Sequence, residues 1–181
     1  MKSLTIQQQC KLVLGIFAVV SLIEIINLLS GYRLNQWGNY PRELHALPGI
    51  LFSPFLHGSL NHYFSNIISL CLFCFLILQY GSRRFWLLSL WIILVSGILV
   101  WLFARSATHV GASGLIYGYF AYLLLAGFLN GRIKLLMISV LVGFFYGGLI
   151  WGVMPQQNFV SWESHLFGFI AGLVAAKLWP K

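Results

Sequence analysis

Ser113 stands in Gly111-Ala112-Ser113-Gly114-Leu115-Ile116-Tyr117-Gly118, flanked by residues too small to shield its hydroxyl, at the mouth of an apolar run that continues to Leu129. A hydroxyl so placed could act as a nucleophile once a base takes its proton. It could equally be a packing residue, because Gly, Ala and Ser at close spacing are what membrane helices use to approach one another. Two other stretches hold possible partners. His57-Gly58-Ser59-Leu60-Asn61-His62-Tyr63-Phe64-Ser65-Asn66 leads into an apolar run, and in a helix His62, Asn66 and Ser69 stand at i, i+4 and i+7, one polar stripe on one face. Ser161-Trp162-Glu163-Ser164-His165 opens the last apolar run, in which Ser164, Gly168 and Gly172 repeat at four-residue spacing, a ridge suited to close packing.

These residues must be held by membrane helices. Of the 181 residues, 60% are hydrophobic and 8% charged, and the mean hydropathy is +0.87, too apolar for a soluble domain of this length. Apolar runs at about 11–29, 62–80, 85–103, 112–129, 135–151 and 162–179 each approach the ~20 residues that cross ~30 Å of hydrocarbon. They predict an all-α, six-span bundle that forms one domain over residues 1–181. The runs are continuous, not alternating, and about twice a barrel strand in length, which argues against a β-barrel. The net charge of +8 is not a nucleic-acid signal, because the basic residues sort by side. Lys2, Lys11, Arg83, Arg84, Arg132, Lys134, Lys177 and Lys181 flank one end of the spans, and only Arg33, Arg42 and Arg105 fall at the other. The positive-inside rule then places both termini in the cytoplasm.

Around these spans the other features read as structural. Glu24 in the first span must face inward, since a carboxyl facing lipid is costly. Cys71 and Cys74 lie inside the second span and read as apolar filler, so no disulfide, metal site or cofactor is expected. The long outer connection 31–61, with Trp37, Tyr40, Phe52 and Phe55 among three prolines, reads as a structured loop lying partly in the interface. Gly147, Gly148 and Gly152, beside the Val153–Val160 loop, mark a mobile side through which water and substrate would enter.

Topology brings the polar residues together. Spans 2, 4 and 6 all run inward from the outer side, so His62 with Asn66, Ser113, and His165 share one depth. His165 is the base at the depth of Ser113, and small residues on spans 4 and 6 permit the approach. Of the three acidic residues, Glu24, Glu43 and Glu163, the last is about 200° around a helix from His165, so a Ser-His dyad is expected in place of a triad. Tyr117, one turn after Ser113, is placed to pack on the imidazole. His62 and Asn66, with N–H groups at the start of span 4, are candidate oxyanion donors.

Gly111-Ala112-Ser113-Gly114 followed by Tyr117, His57 with His62 and Asn66, and His165-Leu166-Phe167-Gly168 with Gly172 resemble three motifs of the rhomboid intramembrane serine proteases, in particular the short bacterial six-span members. The resemblance runs from His57 onward. It implies Ser113 as nucleophile, His165 as base, His62 and Asn66 as oxyanion donors, Gly111 and Tyr117 in support, and His57 as a structural residue of the outer loop. One departure is the absence of the Trp-Arg pair of the first loop, where Leu47-Pro48-Gly49-Ile50 precedes Phe52. The expected function is serine endopeptidase cleavage, in or next to the membrane segment of other proteins, at the extracytoplasmic side of the inner (plasma) membrane. The partners would be transmembrane substrates and the lipid bilayer, with no nucleic acid. A non-catalytic rhomboid-like binder of membrane helices is the alternative. A small transporter would want midplane charges or broken helices in repeated halves.

Overall fold

A computed structural model describes residues 4–155 and 160–179. Six long helices make up the bundle: α1 (Ile6–Leu29), α2 (Leu60–Leu78), α3 (Ser82–Phe103), α4 (Ser113–Asn130), α5 (Ile133–Tyr146) and α6 (Trp162–Leu178). Among the described residues, five spans are long and apolar enough to cross a membrane, the fifth being α5 with its continuation to Val153, whereas α6 has 17 residues. The chain is a multi-pass membrane protein. Helix α1 starts ahead of the expected apolar run because Thr5 and Gln8 form a reciprocal capping box, which satisfies N–H groups that would otherwise lack partners. At Gly147 and Gly148 the α-helical turn of α5 gives way to a 3-10 stretch, Gly147–Val153. Of the expected Val153–Val160 entry loop, residues 156–159 lie outside the described residues.

Helix α4 is apolar on all sides and accordingly sits at the centre. It buries Tyr119, Phe120, Tyr122 and Leu123 almost completely. The tyrosines keep their hydroxyls partnered, Tyr119 with Ser89 and Tyr122 with Arg84 and the Trp179 carbonyl. Its closest neighbour is α6, and the two touch backbone to backbone. A Cβ at Gly168 would run into the Gly114 carbonyl, one at Gly172 into the Gly118 carbonyl, and one at Gly114 would lie 3.3 Å from the Ser164 carbonyl. The small-residue ridge read from the sequence is therefore the seam between these helices.

The outer connection 31–61 is structured, with short helical turns at Arg33–Trp37, Leu44–Ala46, Gly49–Phe52 and Ser53–Phe55. It is pinned to the segment before α4: Asn39 and His109 exchange both backbone hydrogen bonds, Asn39 Nδ2 donates to Gly97 O at 2.8 Å, and Gly111 N donates to Ser53 O at 2.9 Å. Arg42 adds side-chain bonds to the Ala104 carbonyl and Ser106.

A Gly168→Ala change should push α6 off α4 and lower the thermal midpoint in detergent, since overpacking typically costs about 1–3 kcal/mol. Gly15→Ala, where nothing lies within 4 Å, should leave the midpoint unchanged or raise it. Equal midpoints for Gly168→Ala and wild type would rule out backbone contact across the seam.

Candidate functional site

Ser113 is the first residue of α4, preceded by Ala112, which has no side chain able to cap the helix. The first-turn N–H groups therefore receive no side-chain acceptor and stay available at the positive end of the helix dipole. Gly111 before it has φ +123°, a conformation side chains rarely adopt. A Cβ there would lie 2.7 Å from His62 Nε2 and 3.7 Å from Ser113 Oγ. Gly111 is thus the point at which the serine hydroxyl and the His62 ring meet across bare backbone. His62 comes from the first turn of α2, which Ser59 caps by accepting from the His62 N–H.

His165 reaches the same region from the first turn of α6. Its ring stacks on Tyr117 with centroids 4.1 Å apart and planes 5° from parallel. Tyr117 is one turn beyond Ser113 on the same face of α4, so the stack sets the ring beside the serine's helix face. His165 Nδ1 lies 3.0 Å from Gly152 O. A carbonyl can only accept, so Nδ1 carries a proton, and in the neutral ring Nε2 then keeps a free lone pair. Gly152 is required for a second reason, because a Cβ there would collide with the Tyr117 hydroxyl. Ser113 and His165 are each less than a tenth exposed, and among the described residues no hydrogen bond joins them in this resting arrangement. Asn66, buried on α2, donates one amide N–H to His62 O at 2.7 Å, which leaves its second N–H.

His57 is fully buried behind His62, with ring centroids 5.2 Å apart and edge to face, and it packs on Tyr63 in the same way. Burial first, and the neighbouring His62 second, push its pKa down to about 3. On the other flank, His109 holds the start of α6. Its Nε2–H donates to Arg105 O, so its Nδ1 accepts from Ser161 Oγ, and Ser161 is in turn bonded to Ser164. Burial lowers the pKa of His109 as well. Arg105 donates to Val160 O at 2.7 Å and approaches Glu163 Oε1 to 3.5 Å. Glu163 thus faces Arg105, in agreement with its expected direction away from His165.

Two groups next to the site were given no part in it from the sequence. The Gly152 carbonyl orients His165, but a backbone oxygen leaves no mark on residue type, and the glycine itself was read only as a flexible position. Glu24 was read as a lone inward carboxyl; the structure places its Oε2 3.6 Å from His57 Nδ1.

The family model of the Rhomboid domain matches residues 44–180. An uncharacterised protein of Mycobacterium tuberculosis is 37% identical over 175 residues, covering 92% of this chain and 73% of its own. One of Mycobacterium leprae is 36% identical over 183 residues, covering 92% and 69%. A rhomboid-like protein of Acanthamoeba polyphaga mimivirus is 30% identical over 137 residues, covering 72% and 74%.

The depressed pKa of His57 makes stability depend on pH. Below its ordinary value of 6.5 the unfolded chain binds a proton that the folded chain refuses down to about 3, so the contribution is complete above 6.5 and is lost as pH falls through that window. His109 adds a slope of the same sign. The stability gap between wild type and His57→Gln, followed by thermal unfolding in detergent, should therefore narrow as pH falls. A constant gap would show that His57 is not held neutral.

Proposed function

The chain belongs to the rhomboid family, and we propose that it is an intramembrane serine endopeptidase that hydrolyses a peptide bond in or next to the transmembrane segment of other membrane proteins. The observation that carries this reading is the His165 ring, held by Tyr117 and the Gly152 carbonyl with its Nε2 lone pair free, at the first turn of α6 against the helix that begins with Ser113. Nε2 takes the proton from Ser113 Oγ as the hydroxyl attacks the scissile carbonyl, and the imidazolium keeps its Nδ1–H on Gly152 O. The oxyanion is met by His62, by the free N–H of Asn66 and by first-turn N–H groups of α4. His165 then gives its proton to the leaving amine, and a water activated by the same nitrogen releases the acyl group from Ser113. Hydrogen bonds of this kind are often long in resting sites and tighten with substrate.

In this reading α6 is a sixth span, both termini are cytoplasmic, and the site opens on the extracytoplasmic side of the plasma membrane. The sorting of basic residues supports that orientation. A rhomboid-like protein that only binds membrane helices would have no need of a histidine held as a proton acceptor beside a helix that starts with serine.

A fluorophosphonate probe should label the detergent-solubilised protein at Ser113, and both Ser113→Ala and His165→Ala should remove labelling and proteolysis. Asn66→Ala should remain folded and lower kcat by roughly 10²–10³ if Asn66 acts alone, and by less if His62 or a backbone N–H shares the charge. Equal turnover of a transmembrane substrate by purified wild type and Ser113→Ala would end the protease reading.

A further inference from the structure

Four residues of α1 are buried, Gln9, Val20, Glu24 and Asn27, and three of them are polar. Two of these converge on His57. Glu24, 2% exposed, has no hydrogen-bond partner for either carboxyl oxygen, and neither ring nitrogen of His57, itself 0% exposed, has one. Buried polar atoms are almost always partnered. These two groups approach to 3.6 Å, between Oε2 and Nδ1, and a closure of a few tenths of an ångström makes them partners. Asn27 holds the same residue by its backbone, donating Nδ2 to His57 O at 3.1 Å, and Asn35 does the same at 3.1 Å. Helix α1 therefore holds His57 by its carbonyl and brings the Glu24 carboxyl up to its ring.

The residue after His57 faces the site. Gly58 N donates to His62 Nδ1 at 3.5 Å. An N–H can only donate, so Nδ1 is bare and the proton of the neutral imidazole sits on Nε2. That nitrogen lies against Gly111, beside the serine. The bond from Gly58 is at the limit of reach, so whatever fixes Gly58 also fixes the tautomer. In the other tautomer two N–H groups would point at each other, and the nitrogen beside Ser113 would be an acceptor unable to stabilise an oxyanion.

We propose that Glu24 is a positioning residue of the active site: its pairing with His57 holds the Gly58 N–H on His62 Nδ1 and so keeps His62 in the form that donates from Nε2. This rests on the reading of His62 as an oxyanion donor. The group needs hydrogen-bonding capacity at Glu24, not its charge, so glutamine can replace it and leucine cannot.

The test uses the full chain in detergent with ¹⁵N-labelled histidine, since ring nitrogen shifts report which nitrogen carries the proton. Wild type should show His62 protonated at Nε2 and His165 at Nδ1. In Glu24→Leu, His62 should exchange between tautomers while the His165 signals stay in place, and kcat on a transmembrane peptide should fall about 10–100-fold with KM little changed, the pattern of a lost transition-state donor. Glu24→Gln should keep the wild-type His62 spectrum and remain within about threefold of wild-type kcat, an amide still being able to pair with His57. Wild-type His62 protonated at Nδ1 would overturn the inference whether or not any variant folds. So would a folded Glu24→Leu with unchanged His62 signals or kcat, a Glu24→Gln as impaired as Glu24→Leu, or a His165 spectrum that changes along with that of His62. If wild type cleaves nothing, the protease reading fails, and the His62 spectra still decide whether Glu24 sets the tautomer.

Discussion

Contact between bare backbones along α4 and α6 is the constraint on which the rest of the molecule depends. Gly168 and Gly172 on α6 let the Gly114 and Gly118 carbonyls of α4 sit where a Cβ would otherwise be, and Gly114 in turn leaves room for the Ser164 carbonyl. Apolar side chains give no hydrophobic advantage to helix pairing in lipid, so association rests on dispersion and on such close approach. The seam also fixes the chemistry in register. Ser113 and Tyr117 flank Gly114 on α4, and Ser164 and His165 sit opposite on α6; at this separation the imidazole stacks on the tyrosine. A methyl group in the seam would move the histidine along with the helix.

Backbone groups then do for the imidazoles what charged side chains do in soluble sites. Gly152 offers a carbonyl to His165 Nδ1, and Gly58 offers an N–H to His62 Nδ1. The same ring atom thus meets an acceptor in one case and a donor in the other. The result is two neutral imidazoles of opposite sense, one with a lone pair at Nε2 and one with a proton there. In the proposed mechanism these are the base and the oxyanion donor. Each partner is a glycine: at Gly58, where nothing lies within 4 Å of a Cβ, only the position of the peptide matters, whereas Gly152 must also leave room for the Tyr117 hydroxyl.

Much of this was legible in the sequence. The helices follow from run length, and Ser113, Tyr117, His62 and His165 from their spacing on runs of the same direction. The polar stripe of α2 was legible too, although the structure has Asn66 spend one N–H on the His62 carbonyl. What was not legible has a common physical form: it consists of contacts between residues far apart in the chain or of contacts made by peptide groups. Glu24 and His57 are separated by a helix end and a loop, and the 3-10 turn that brings Gly152 to His165 replaces a helix that the apolar run alone would have continued. The clasp of Arg105, His109, Ser161 and Glu163 is likewise an encounter of the loop before α4 with the start of α6.

The placement of charge explains why a carbonyl and not a carboxylate stands behind His165. An ionised carboxylate at that depth would have to be desolvated, and in a membrane that penalty is recovered only through several hydrogen bonds. Glu163, two residues away, is instead turned to Arg105 at the edge of the bundle. A peptide dipole orients the imidazole without any net charge to desolvate, although it stabilises an imidazolium less than a carboxylate would. The acidic group that does lie buried beside the site, Glu24, is kept one residue removed from the chemistry, against a histidine that burial holds neutral. There its use is geometric: it fixes a loop peptide on which the proton of another histidine depends, and no ionised carboxylate is placed beside the developing oxyanion, where it would repel it.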